Sequence, residues 1–251
     1  MEPNSLHIRQ LQNLPEFSEV VALQQEIWGF HDVELLPRRL FVVASKIGGQ
    51  VLGAYDGDRL VAFCLCIPGL KPGSRSYLYS HMLGVLGPYR NTGLGRRLKL
   101  AQREFALAVG VDLIEWTFDP LELKNAFFNI EKLGAIVRRF VHNQYGTTSS
   151  HLHGGLPTDR LIAEWHLLSA RALEVLTNAD SPRQREENES VRIAVPADIA
   201  EIRSRDPERA RAVQASIGEQ FDEYFRQGLA VTGFERTSEF GTYVLSRWES
   251  N

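Results

Sequence analysis

A chain of 251 residues, 43% hydrophobic and 24% charged, can bury a substantial core in one or two domains. Its net charge of -3 supplies no field that would gather nucleic acid or an anionic membrane, and no apolar run approaches spanning length. The opening MEPNSLHIRQ has no basic stretch followed by an apolar one, so the expectation is a cytoplasmic protein without a secretory signal.

Leu6 to Leu11 reads as a first strand. After Pro15, the residues Phe17, Val20, Val21, Ile27 and Trp28 form a helical stripe that stops at Gly29. A second helix starts at Pro37 and carries Leu40, Val43, Ala44 and Ile47 up to Gly48-Gly49. Gln50–Tyr55 and Arg59–Ile67 are strands joined by Asp56-Gly57-Asp58, which is hairpin chemistry. Pro68-Gly69 and Pro72-Gly73 bound a loop, and Ser76–Val85 is the next strand. Leu94, Leu98, Ala101, Phe105 and Ala108 recur at helical spacing before Gly110. Beyond it come a strand at Leu113–Phe118, a helix carrying Leu123, Ala126, Phe127, Ile130 and Leu133, a strand at Ala135–Tyr145 and another at Leu161–Leu168. Leu168–Leu176 is helical, whereas Thr177–Ser190 has no apolar residue except Ala179 and reads as a solvated linker. A short strand at Val191–Val195 follows, then helices across Asp198–Gly228 divided at Pro207, then a hairpin of Leu229–Glu235 and Thr242–Trp248. The expected organisation is a domain over residues 1–176, a linker over 177–190 and a small α/β appendage over 191–251.

Cys64 and Cys66, two apart on a strand, project to one face side by side, where a disulfide would be strained. They read as small core hydrophobes in a reducing compartment. His151 and His153 form a lone H-x-H without a third ligand nearby, so no metal is expected.

The segment SHMLGVLGPYRNTGLGRRLKL concentrates the chemistry. An apolar strand breaks at Gly87-Pro88, passes through Arg90, Asn91, Thr92, Gly93, Leu94 and Gly95, and becomes a helix whose first turn carries Arg96 and Arg97. Unpaired N–H groups and the positive end of the dipole make such a helix start a seat for an anion, and glycines keep it open. A Walker loop would need Lys-Ser or Lys-Thr after the last glycine. A dinucleotide fingerprint would need a third glycine where Leu98 stands.

Arg90-x-x-Gly93-x-Gly95, flanked by strand and long helix, resembles the pyrophosphate motif of the GNAT superfamily of acyl-CoA N-acyltransferases. From Leu6 to Leu168 the order β-α-α-β-β-β-α-β-α-β-β is similar to the order of that superfamily. The resemblance implies an α/β fold with a mixed, mostly antiparallel sheet splayed at the acyl-CoA site, here with the C-terminal appendage added. It implies acetyl-CoA or another acyl-CoA as co-substrate, held by Arg90, Asn91, Thr92, Gly93, Leu94, Gly95 and Arg96 at the turn. It assigns the pantetheine arm to Met82, Leu83 and Val85 on the preceding strand and to Asn125 on the later helix. The runs WGF, CLCIPG, SHMLGV, TFDPL, FNIEKLGA and LPTDRL further resemble a subgroup with a C-terminal extension. Some of its members are associated with racemases acting on N-succinylated amino acids and with succinyl-CoA.

Acyl transfer to an amine needs a base, a donor to the oxyanion and a proton for the thiolate. His81, four residues before Val85 and so expected on the same face, is the first candidate base, with Glu115 as the alternative. Ile130 stands where many members carry the Tyr that protonates the thiolate, so either Tyr145 or Tyr79 serves as the acid or the thiolate, a tolerable leaving group with a thiol pKa of about 8.5, departs unaided. Arg75, Arg138 and Arg139 suit a carboxylate on a small amine acceptor or on a succinyl donor, although Arg138 and Arg139, adjacent on a strand, are not expected to share a face. The reading is therefore an N-acetyl- or N-succinyltransferase acting on a small amine such as an amino acid, with neither nucleic acid nor membrane as partner and a homodimer left open. The alternative is a non-catalytic acyl-CoA-binding or regulatory protein on the same fold.

Overall fold

The computed structural model describes residues 6–29, 34–71, 76–146, 155–177 and 190–249. Arg75, the His151-x-His153 pair and residues 178–189 of the expected linker lie outside the described residues. The chain divides into two compact units, Met1–Glu115 and Trp116–Asn251.

In the first unit β1 (Leu6–Gln10), β2 (Gln50–Asp56), β3 (Arg59–Gly69) and β4 (Tyr77–Val85) pair antiparallel in that order. The first residues of β5 (Leu113–Phe118) pair parallel to β4. Helix α1 (Leu14–Trp28) starts with a capping box, in which the Asn13 side chain accepts from the Glu16 N–H and Glu16 reaches back to the Asn13 N–H. It ends where Gly29 takes a left-handed φ of 64°. Phe17, Val20 and Leu23 of α1 and Phe41 and Ala44 of α2 (Arg38–Lys46) are buried, with Phe17 stacked on Phe41 at 6.1 Å. The α2 stripe differs from the sequence reading, because Val43 and Ile47 face solvent.

The faces of this sheet carry different helices. A Cβ on Gly84 would lie 2.8 Å from both Ile27 and Trp28, so the end of α1 presses directly on β4. Trp28 also meets Phe63 edge-on at 5.8 Å. The opposite face, with Cys64, Cys66 and Leu83, lies under α3 (Leu94–Ala108).

In the second unit the antiparallel order is β7 (Arg160–His166), β6 (Ile136–Val141), β9 (Leu229–Arg236), β10 (Phe240–Arg247) and β8 (Val191–Pro196). Helix α4 (Leu123–Phe127) runs into a π-helical turn, Phe128–Lys132, that buries Ile130. Strand β6 ends at Val141 rather than Tyr145, since Asn143 turns to a φ of 44°. Helices α5 (Ala170–Thr177), α6 (Ile199–Arg205) and α7 (Pro207–Arg226) complete the unit. The C-terminal elements are core, not tail. Phe221 of α7 stacks on Phe140 at 5.7 Å and meets Tyr243 at 5.1 Å, while the Phe234 N–H donates to Glu131 Oε1 at 2.6 Å.

Candidate active site

The turn into α3 is built from its own backbone and polar side chains. Arg90 Nε donates to the Val85 carbonyl at 3.0 Å, and the Thr92 hydroxyl donates to the Tyr89 carbonyl at 2.7 Å. Asn91 (φ 63°) and Gly93 (φ 84°) both take the left-handed conformation, and Gly93 sits at the N-cap without a side-chain cap. The first helical N–H groups therefore keep their donor capacity. An added Cβ would meet nothing within 4 Å at Gly93 and only Leu83, at 3.8 Å, at Gly95. This is open space in front of a helix N-terminus, which fits a pyrophosphate. Arg97 turns away and donates to the Leu6 carbonyl at 2.9 Å.

Strand β4 holds the candidate base on an irregularity. Cys66 pairs with Ser80 and Leu65 with Met82, so one step on β3 spans two on β4 and His81 is the extra residue of a bulge. The bulge shifts the alternation. Tyr79, His81 and Met82 fall on the α1 face, whereas Ser80, Leu83 and Val85 fall with Cys66, Cys64 and Ala62 on the α3 face. The expectation that His81 and Val85 share a face is thus corrected by one inserted residue. His81 is exposed at its edge and packs beside Tyr79 at 6.0 Å, and partial burial pushes its pKa below the ordinary imidazole value.

Glu115 joins the same face. The β4–β5 ladder consists of Leu78↔Ile114 and Tyr79↔Glu115, and from Ser80 onward the described pairing of β4 is to β3. At the point where the strands part, Glu115 is buried and ion-paired to Lys71, whose ammonium lies 4.8 Å from the Tyr77 ring centre. Tyr77, Tyr79, His81, Glu115 and Lys71 thus form one cluster.

The α3 face of the same strands holds a group that hydrophobic patterning missed. Lys99, buried, donates to Ser80 Oγ at 2.8 Å and lies 3.4 Å from Gln102 Oε1. Burial lowers its pKa to about 7 and raises that of Cys66 to about 11. Burial pushes Cys64 higher still, so both thiols stay protonated as structural residues.

In the second unit, Asn125 is exposed and its N–H closes on the Glu122 carbonyl at 2.9 Å. Tyr145 is anchored by its hydroxyl, 3.0 Å from Thr117 Oγ1, and by its N–H to Thr158 Oγ1 at 2.9 Å. Arg138 and Arg139 do converge, contrary to simple alternation. Val137 pairs with Ala163 and Arg139 with Ile162, so Arg138 is a second bulge residue and both guanidiniums reach Glu164. Burial of Glu164 would raise its pKa, yet His166, Arg138 and Arg139 together hold it at about 2. Among the described residues no cluster of three or more His, Cys, Asp or Glu could hold a metal ion, and no helix is long and apolar enough to cross a membrane.

Comparison with known proteins brings structural but not sequence relatives. No family model matches the chain, and no curated protein matches it. Solved structures do. An Escherichia coli ribosomal-protein-S18-alanine N-acetyltransferase aligns with 16% identity and a TM-score of 0.50, covering 63% of this chain and 92% of its own. Arabidopsis thaliana NAA60, solved with a bisubstrate analogue, aligns with 13% identity and a TM-score of 0.52 over 64% of this chain and 97% of its own. A protein of the GNAT family from Desulfovibrio desulfuricans gives 14% identity and a TM-score of 0.52 over 64% and 99%. The fold is that of GNAT acetyltransferases.

Proposed function

We propose that this chain is an acyl-CoA-dependent N-acyltransferase. The observation that carries the reading is the open glycine seat at the start of α3, reached directly from a bulged β4 whose other face gathers His81 and Glu115. The N–H groups around Gly93, Leu94 and Gly95, with Arg90, Asn91, Thr92 and Arg96, would hold the pyrophosphate. Met82, Leu83 and Val85 would line the pantetheine arm, with Asn125 as a further contact. His81, its pKa lowered by partial burial, is neutral near pH 7 and suited to take a proton from the acceptor ammonium, with Glu115 as alternative. Tyr145 is the proposed acid. The acceptor is proposed to be a small amine bearing a carboxylate, such as an amino acid, and the donor acetyl- or succinyl-CoA. The guanidiniums of Arg138 and Arg139, gathered at Glu164, are the groups proposed to recognise that carboxylate.

The second reading, an acyl-CoA-binding protein without turnover, is favoured by Ile130 in place of Tyr and by the engagement of Glu115 with Lys71. Thiol release from acetyl-CoA and succinyl-CoA over a panel of amino acids, their carboxamides and polyamines separates the two. Turnover selective for carboxylate-bearing amines supports the enzyme. CoA binding without release on any amine supports the binding protein.

A further inference from the structure

We propose that Lys71 is an acyl acceptor within the chain itself, modified by the acyl-CoA that the neighbouring site uses. This rests on the acyltransferase reading above. Glu115 is 3% exposed, and a carboxylate so deeply placed at the parting of β4 and β5 has a specific occupant. That occupant is a primary alkylammonium. Lys71 lies just past the end of β3, runs its side chain over the Tyr77 ring and sets its ammonium on Glu115. Tyr79, the register partner of Glu115, precedes the bulged His81 by two residues and packs beside it, so the carboxylate that holds the Lys71 amine and the candidate base share one face. An aromatic ring along the stem and a buried carboxylate on the head are what a site for any primary amine would offer. Here the chain fills them with its own lysine, which is 34% exposed and so not sealed in.

The chemistry balances without a further reagent. The Glu115 carboxylate takes a proton from the Lys71 ammonium, and the freed amine attacks the thioester carbonyl. The C–N bond forms, the C–S bond breaks, the thiolate leaves with the proton that Glu115 returns, and the second proton lost from the nitrogen passes to solvent. The products are an N-acyl-lysine and free CoA, with nothing oxidised or reduced. The neutral amide no longer carries the charge that pairs with Glu115. The reaction is limited to one event per chain.

The test uses the full-length protein with acetyl-CoA and, separately, succinyl-CoA, with no amine added. Peptide mass mapping locates acyl groups, and free thiol is followed over a dilution series of protein. The expected result is one acyl group on Lys71, formed at a rate independent of protein concentration. It should be absent in Lys71→Arg and slowed at least about tenfold in Glu115→Gln, the scale of a lost base. Melting temperature and CoA affinity, measured on each variant, confirm that it is folded and loaded. Labelling spread over surface lysines, or unchanged Lys71 labelling in Glu115→Gln, overturns the proposal. Turnover on added amines with Lys71 left unmodified also overturns it while the acyltransferase reading stands. A wild type that binds no acyl-CoA overturns both.

Discussion

Replacing Gly95 by Ala should move stability and ligand affinity in opposite directions. Gly95 is the second residue of α3 with ordinary helical geometry, and an added Cβ would meet only Leu83 at 3.8 Å. Glycine in a helix is less favourable than alanine by about 0.5–1 kcal/mol, so Gly95→Ala should raise the melting temperature by roughly 1–4 °C. If the turn seats a pyrophosphate as proposed, the same methyl stands beside backbone that the phosphate oxygens must approach closely. Gly95→Glu adds a charge there. Two unit charges at about 6 Å and an effective dielectric of about 20 repel by about 3 kcal/mol, which is roughly a 100-fold loss of affinity. Calorimetric titration with CoA and thermal melts on the wild type and both variants measure the two effects together. Weakened CoA binding in a variant at least as stable as the wild type is expected, with part of the Gly95→Glu loss recovered at high salt. Unchanged CoA affinity in Gly95→Glu would refute the assignment of the turn.

Three further outcomes follow from the cluster chemistry. His81→Ala should lose turnover by about 100-fold with CoA affinity retained; because the folded pKa is lowered, the wild-type rate should rise through a pH below about 6.5 and then level, and a limb above that value would count against His81 as base. Lys99 has a folded pKa lowered to about 7, so the unfolded chain holds the extra proton between that value and about 10.4. Its burial cost is thus fully present below pH 7 and relieved as pH rises, and Lys99→Met should gain stability over wild type in melts at pH 6 and lose that advantage by pH 10. Glu164→Gln leaves two half-exposed guanidiniums facing an uncharged amide and should cost about 1–3 kcal/mol in urea unfolding at pH 7. Since the Glu164 pKa is lowered to about 2, its contribution is present above the unfolded value of about 4.3 and fades as pH falls toward 2, so the two proteins should converge in acid.

Element order and the glycine turn into α3 were legible because they rest on local signals: Gly29, Asp56-Gly57, the glycines at the start of α3 and the cap residues all act on their own neighbours. What escaped was set by neighbours distant in sequence. Alternation along β4 and β6 predicts faces correctly only while each strand advances in step with its partner, and the extra residues His81 and Arg138 become visible through the register of β3 and β7. Helical spacing placed Leu94 and Leu98 in the core and Ala101 against it, but it missed Lys99 and Gln102, which are buried with them where Ser80 and the two thiols beneath give Lys99 polar company. The α2 stripe failed for the same reason, since Phe41 rather than Val43 is opposite Phe17. Arg138 and Arg139 were legible as cations but not as partners of one carboxylate. Glu164 lies 25 residues beyond Arg139 and gives no local sign of its burial.

The bulge at His81 makes the length of β4 as consequential as its composition. Gly69 and Tyr77 fix one end of the β3–β4 ladder and Ala62 and Val85 the other, so β4 spans the interval with one residue more than β3. Deleting His81 would leave Ser80 opposite Cys66 and Met82 opposite Leu65 in unbroken alternation, so every other side chain would keep its face and only the candidate base would be lost. Straightening the strand with His81 kept would instead turn either Tyr77 and Tyr79 to the α3 face or Leu83 and Val85 toward α1, where Ile27 and Trp28 leave no room at Gly84 for a Cβ. Any graft of this strand into another sheet carries the same requirement. The host must accept nine residues opposite eight, or the chemistry arrives on the wrong side.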